Sequence, residues 1–517
     1  EPNRDVRRRQ GTRRGPLRGS RDRLCSRPSS LFQEGRFPLI APGRHDPDLS
    51  DRIRRGLAVA ALAGLVTLAL LPALDAGFVW DDRADVLDNP AATPAGFAAA
   101  LGTTNRPLLK ATYALQRRVS GDDPLPFHTG NLALHLLATA AVFALVRRSL
   151  PVRAAARAGV TRDLAAWLAA ALWALHPVAA ETVAPVIGRS VLLSSGLLLG
   201  ALLLVTGARP PGWRAMLAAG ALAFLAPLAR ETALVTPALG LLWQLTLGAR
   251  EPRAAWRHRL LPLAVGSGLA AVAIALTARH RELLAFSFAE RTPLAALRGN
   301  VHALFALARL WLLPAQLSID PAPADDLPWS APATLVRVTL LVAAAAFVGA
   351  ARRQAPTAAF AAGWTLLALA PTNSFVWRLD PVAPRALYLA AIGPLLLLAL
   401  AVARLPLPLG RPRPAAVLSI ALAAALPLGA LAHLTQTRAG LWCEPAALWA
   451  DAAAKNPASA RPWQNLGVTH LLADRLDPAE EAFRRVLTLA PEENRARCAL
   501  EAIQIRRLTL AVEERRP

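Results

Sequence analysis

Cysteine is almost missing from this sequence: Cys25, Cys443 and Cys498 are three among 517 residues. They make no disulfide framework and no metal-ligand spacing, which excludes cross-linked secreted scaffolds and cysteine-ligated metal sites. Lysine is scarcer still, with Lys110 and Lys455 alone among 58 basic residues. Arginine, alanine and proline in its place point to a GC-rich bacterial genome, and hence to an inner membrane facing a periplasm. Met216 is the single methionine and the chain starts at Glu1, as expected of an overextended or truncated gene model. The first residues are arginine-rich but lack the short apolar core and small-residue cleavage site of a secretory signal.

Apolar residues are abundant, at 54% of the chain with a mean hydropathy of +0.35. Arranged in repeated long runs, that content indicates an integral membrane protein rather than a large soluble core. A net charge of +23 raises the question of nucleic-acid binding. Much of the charge lies in the first 55 residues, which are expected to be disordered, and most of the rest lies between apolar runs. Arginine dispersed at span ends is a topology signal, so nucleic acid is not an expected partner.

Apolar segments run at roughly 56–74, 129–146, 164–180, 191–207, 215–229, 232–248, 260–278, 331–350, 357–371, 386–403 and 414–433. Several fall short of the ~20 residues that cross a bilayer core. A twelfth candidate, 300–318, carries Arg309 mid-segment and Pro314 near its end. With the basic N-terminus in the cytoplasm, eleven spans keep the arginine clusters cytoplasmic and a twelfth would expel two of them. The predicted fold is therefore all-α and polytopic, with about eleven transmembrane helices in a domain spanning 56–434. External segments fall at 75–128 and 279–330, and 300–318 lies in the interface.

From Leu441 the Ala/Leu runs give way to mixed charge. Residues 460–493 fit a 34-residue tetratricopeptide period, with Trp463, Leu466 and Gly467 on the first helix, Ala479 and Phe483 on the second, and Pro491 closing it. The spacing continues both ways, to Trp449 and Leu500. A single such repeat cannot bury its own apolar face, so 441–517 is expected to be a periplasmic helical domain that engages a partner around Trp463 and Phe483.

Polar clusters gather at the span ends assigned to the external face. “FVWDDRADVLDNP” places Asp81, Asp82, Asp85 and Asp88 just after an apolar run. A carboxylate beside an apolar wall can have its pKa lifted into the working range of a general base while its neighbour stays ionised, though many wet loops share the pattern. His128, Asn131 and His135 recur on one helical face, spaced either to ligate a metal or to pack against other helices. “ALHPVAAETVAPVIGRS” supplies His176, Glu181 and Arg189; “ARETALVTP” supplies Arg230 and Glu231, a pair whose simplest reading is structural. “NSFVWRLDPVAPRALYL” adds Arg378, Arg385 and Tyr388.

In order along the chain, “FVWDDRADVLDNP”, “NRPL”, “FHTGNLALH”, “HPVAAETV”, “GRS”, “ARETALVTP” and “PRALYL”, followed by the repeat-bearing tail, resemble a known group. They are similar to the tetratricopeptide-containing O-mannosyltransferase-like proteins of the GT-C glycosyltransferase superfamily, over roughly residues 57–517. The resemblance implies an inverting transferase that takes a mannose-like sugar from a polyprenyl-phosphate donor, with Asp81 and Asp82 as the acidic catalytic pair. An acceptor hydroxyl must lose a proton and a departing phosphate needs cations, which implicates Arg106, Arg189, Arg309 or Arg385. His128, Asn131, His135, His176, Glu181, Arg230, Glu231 and Tyr388 would support that site.

The acceptor would be a protein Ser/Thr hydroxyl or a glycan, presented by the tail. No cofactor is implied, and the need for a divalent metal stays open. The sequence departs from the family pattern at Ala179, Ala180, Val191, Arg230 and Pro384, which leaves the donor sugar open. A membrane-anchored scaffold for envelope assembly and a lipid-linked glycan transporter or polymerase are the rival readings. A transporter would place ionisable residues along a route within the spans.

Overall fold

Every regular element among the described residues is helical. The computed structural model describes residues 47–151, 162–207, 210–249, 251–322, 324, 326–404 and 414–513. Most of the basic segment 1–55, with Cys25, lies outside them. Residues Arg52–Pro517 cluster as one unit and Glu1–Asp51 as another.

The longer helices run α1 Pro47–Leu70, α2 Pro107–Ser120, α3 Pro124–Ser149, α4 Arg162–Ala174, α5 Arg189–Val205, α6 Trp213–Ala229, α7 Thr236–Thr246, α8 Arg253–Leu276 and α9 Ala278–Glu290. They continue as α10 Pro293–Leu312, α11 Pro332–Ala351, α12 Pro356–Leu369, α13 Ile392–Val402 and α14 Pro414–Leu441. Four tail helices follow: α15 Pro445–Lys455, α16 Ala460–Leu472, α17 Leu476–Leu489 and α18 Asn494–Glu513.

Helix is found at each of the eleven apolar segments, but the lengths do not give eleven full spans. Among the described residues five helices are long and apolar enough to cross a membrane, or seven if two bent pairs each count as one span. This is a multi-pass membrane protein. The first bent pair breaks where proline opens a new turn, Arg162–Ala174 meeting Pro177–Val183 at 52°; in the second, Pro384–Ala390 meets Ile392–Val402 at 45°, with the break at Ala391 and Pro394 in the first turn beyond it. A proline cannot donate to the preceding turn, so the helix ends there and restarts in a new direction. Two further apolar helices, α6 and α12, are shorter than the others. Helix α11 shows the bilayer's role most plainly, since only 6% of its apolar window is buried. Leu335, Val336, Leu340 and Val342 are all more than half exposed, a surface that lipid rather than water would cover. In segment 300–318, α10 stops at Leu312 and Pro314 opens a short 3-10 turn.

In the tail each helix packs on the next. Gly467 lies against the Phe483 ring, and a Cβ there would stand 2.9 Å from its carbons, so glycine is what lets α16 and α17 close together. Phe483 is fully buried and Trp463 half-buried. The face expected to meet a partner is therefore largely the tail's own core.

A separate small core sits under the segment 78–92. Val86, Ala92, Leu109, Tyr113, Phe127 and Val186 pack there with Phe78 against them. It joins the loop after α1, the helix α2, the start of α3 and the turn before α5. These are the elements that carry the polar motifs, and the core fixes their spacing.

Candidate active site

The four aspartates of “DDRADVLDNP” have four different surroundings. Asp82 is fully buried. Its Oδ1 accepts the Ile187 N–H at 2.7 Å, and its Oδ2 accepts those of Val186 at 3.0 Å and Val79 at 3.3 Å. Burial lifts its pKa to about 7, with the three amide donors acting the other way. Asp85 pairs with Lys110 at 2.5 Å, and Lys110 Nζ also donates to the Asp85 carbonyl at 2.9 Å. Asp88 stands 3.5 Å from Arg83 with both side chains largely in water, a contact worth little. Asp81 alone of the four lines a cavity, and among the described residues no hydrogen bond reaches its carboxylate. Burial raises its pKa, opposed by Arg385 and reinforced by Asp85 and Asp380.

That cavity, about 150 Å³, is lined by Trp80, Asp81, Arg106, Glu181, Ser190, Arg230, Arg378, Arg385 and Trp442, among others. The clusters that the span count placed on one face thus meet at one place. Arg106 and Glu231 form a two-pronged pair, with Nε to Oε1 at 3.1 Å and Nη2 to Oε2 at 3.2 Å. Glu231 also meets His280 Nε2 at 3.0 Å, so Arg106 is already neutralised. Glu181 pairs with Arg438. Among the described residues Arg230 donates only to the Ser190 hydroxyl, at 3.2 Å, and the Arg385 guanidinium lies 5.8 Å from the centre of the Trp80 ring. Arg378 has its pKa lowered to about 10 by burial and by repulsion from Arg385 and Arg106. It stays cationic at neutral pH, so mutually repelling guanidinium groups face a cavity whose one uncommitted carboxylate is Asp81. An entering anion would relieve that repulsion.

Two further spaces share residues with this cavity. One, about 30 Å³, shares Arg230 and Arg385 and runs between Ser194, Ser195, Leu198, Thr372 and Leu389. The other, about 190 Å³, shares Ile319, Pro384 and Arg385 and is bounded by Asp320, Asp380, Ser459 and Arg461. Arg385 borders all three.

Several residues singled out in the sequence lie elsewhere. Arg189 is buried, donating to Asn131 Oδ1 at 3.1 Å and to the Phe127 carbonyl at 2.9 Å, with its guanidinium against the Tyr113 and Phe127 rings. Asn131 in turn donates to the Pro185 carbonyl at 2.9 Å and that of Val183 at 3.2 Å. Tyr113 donates to the Val186 carbonyl at 3.1 Å. Arg189, Asn131 and Tyr113 therefore brace the turn whose amides hold Asp82. Gly188 makes that turn possible, since a Cβ there would lie 1.9 Å from the Thr182 carbonyl oxygen.

His128 is buried against the backbone of Ala76, Gly77 and Ala184. His135 and Tyr388 sit together in the helix core, 2.8 Å apart, with Trp173 stacked on the imidazole. His176 Nδ1 accepts the Val178 N–H at 3.2 Å, so its Nε2 is the donor to the Trp311 carbonyl at 2.9 Å. Arg309 is exposed on α10, away from the cavity. Trp442 and Arg438 line or support the site but lie in no charged motif, and Trp80 stands in “FVWDDRADVLDNP” without having been singled out. Arg438 is a lone cation just after an apolar run, and its partners Glu181 and Asp451 belong to other segments of the sequence. Among the described residues, no three His, Cys, Asp or Glu side chains group to hold a metal ion.

No family model matches the chain, and no solved structure matches it. Among curated proteins it is similar to “Protein O-mannosyl-transferase Tmtc1” of Drosophila melanogaster, 37% identical over 154 residues. It is also similar to “Protein O-mannosyl-transferase TMTC3” of Homo sapiens, 27% identical over 168 residues. These stretches cover 26% and 30% of this chain and 17% of each relative. The chain therefore has homologues among the tetratricopeptide-containing protein O-mannosyl-transferases of GT-C type, across that portion of its length.

Proposed function

We propose that this chain is an inverting glycosyltransferase that moves a mannose-like sugar from a polyprenyl-phosphate donor to a protein hydroxyl, with Asp81 as the general base. The observation that carries the reading is Asp81, uncommitted, in one cavity with Arg230, Arg378 and Arg385. The donor phosphate sits among these arginines, and its prenyl chain follows the space between Ser195, Leu198 and Leu389 into the helix bundle. The acceptor hydroxyl gives its proton to Asp81 while its oxygen attacks the anomeric carbon on the face opposite the phosphate. The anomeric C–O bond breaks, its electron pair stays on the phosphate, and the guanidinium groups stabilise that charge. Asp82 does not exchange protons with the acceptor in this scheme, because both its oxygens are occupied by amides; it fixes the loop from which Asp81 projects.

The eleven-span topology puts the cavity on the external face of a plasma membrane, with the N-terminus cytoplasmic and the tail external. That the span ends assigned to one face share a cavity supports this orientation. The division at 1–55, 56–434 and 441–517 goes with it, the last part serving acceptor recognition. The test is release of polyprenyl phosphate from labelled polyprenyl-phosphate sugars by the purified, lipid-reconstituted chain, wild type against Asp81→Asn. Release lost in the variant with donor binding retained supports the reading. No release from any donor, or release indifferent to the substitution, removes it in favour of the scaffold.

A further inference from the structure

Trp80 has φ 58°, a left-handed backbone that a bulky aromatic residue holds only when its surroundings impose it. Its surroundings come from two sides. Arg385 faces its ring from the cavity, and the Trp449 ring of α15 meets it edge-on, with centroids 6.4 Å apart and planes at 81°. Trp449 is only 4% exposed, so it is a fixed wall and not a loose surface contact. Asp81 follows Trp80 directly, so the left-handed backbone at Trp80 sets the direction from which Asp81 projects.

The same tail helices hold the other walls. Arg438 connects Glu181, in the cavity, to Asp451 on α15. Lys455 donates to the Leu317 carbonyl at 2.8 Å. Arg461 on α16 joins Asp320 to Asp380. Every segment at this side of the cavity is pinned by α15 or α16.

We infer that α15 is part of the reaction machinery, with Trp449 as a positioning residue that sets Asp81 through Trp80. This rests on the proposed transfer reaction but goes beyond it: the tail serves the chemical step as well as the acceptor. The test uses the full chain in lipid nanodiscs, with Trp449→Leu, Trp449→Phe and, as a control on the exposed side of the tail, Leu472→Ser. Two readouts are needed: donor turnover by water in the absence of acceptor, and hydrogen–deuterium exchange of the 78–88 amides.

Trp449→Leu keeps apolar bulk but removes the ring edge. It is expected to lower kcat tenfold or more with donor KM within twofold of wild type, and to speed exchange across 78–88. Trp449→Phe is expected to restore both, and Leu472→Ser to change neither. Unchanged kcat, or unchanged exchange in Trp449→Leu, overturns the inference. If wild type turns over no donor, the reaction fails as a reading while the exchange comparison still decides whether the tail sets the loop. Should Trp449→Leu not fold, Trp449→Met, which keeps unbranched apolar bulk without a ring, takes its place with the same expectations on the same two readouts.

Discussion

Asp82 Oδ1 lies 2.7 Å from the Ile187 amide nitrogen, and the carboxylate just before it, that of Asp81, has no such partner among the described residues. The contrast comes from one turn of backbone. Asp82 points into the turn braced by Asn131, Arg189 and Tyr113, while Asp81 points into the arginine-lined cavity. Adjacent carboxylates that repel each other in an open loop are separated here into an anchor and a reagent.

Substitutions should therefore separate them. Asp81→Asn is expected to lower turnover by roughly 10²- to 10⁴-fold, the range for losing a general base, with little change in melting temperature. Asp82→Ala leaves three buried N–H groups without acceptors, at about 1–3 kcal/mol for each group left unsatisfied. It should lower the melting temperature sharply and lose activity with the fold. Thermal unfolding in detergent and donor turnover, measured on the same preparations, distinguish the two. Equal thermal losses in both variants would contradict the assignment.

The pH profile follows from the same geometry. A base acts when ionised, so activity is lost as pH falls through its folded-state pKa. Burial raises that of Asp81, so the acid limb of kcat/KM should lie above the ~3.9 of an ordinary aspartate. Asp380 contributes to the rise. Asp380→Asn removes a negative neighbour, favours the ionised form and should shift the limb to lower pH. A limb that stays in place would mean that another group is titrating.

How far the site could be read beforehand depended on what each residue's neighbours had to be. Helical membrane architecture follows from the apolar runs, because only internally bonded helices or closed barrels satisfy backbone groups in lipid. The gathering of “DDR”, “NRPL”, “AAETV” and “PRALYL” was legible through charge at span ends. Which carboxylate faces the cavity was not, since neighbouring residues in a helical turn differ by one rotation that packing decides. Arg189 and Arg378 show the same limit. Both are arginines at span ends, but one is enclosed by Tyr113 and Phe127 and the other opens on the cavity. Phe483 looked like a binding face and is core because α16 and α18 cover it. Span counting from composition missed the breaks before Pro177 and at Ala391, where apolar sequence continues but the helix direction does not.

The arginines give a three-way comparison. Arg378→Gln and Arg385→Gln remove cations from the cavity and should raise donor KM and lower kcat, with modest thermal effect. Arg189→Gln strips a buried brace from Asn131 and the Phe127 carbonyl and should act mainly on melting temperature. Arg309→Gln should move neither. Donor-concentration series on the four variants check this, and a KM effect confined to Arg309 would relocate the phosphate.

Gly188→Ala tests the brace without altering any charge. The added methyl would lie 1.9 Å from the Thr182 carbonyl oxygen, and that oxygen belongs to backbone, so the turn itself must shift. Overpacking of this kind costs roughly 1–3 kcal/mol. The displaced segment carries the Val186 and Ile187 amides, so the loss should reach Asp82 and, through it, the direction of Asp81. The expected result is a lowered melting temperature together with a fall in kcat that stabilising lipid does not restore. Recovery of full kcat in a thermally stabilised background would show that the turn supports the fold alone, with Asp81 positioned from elsewhere.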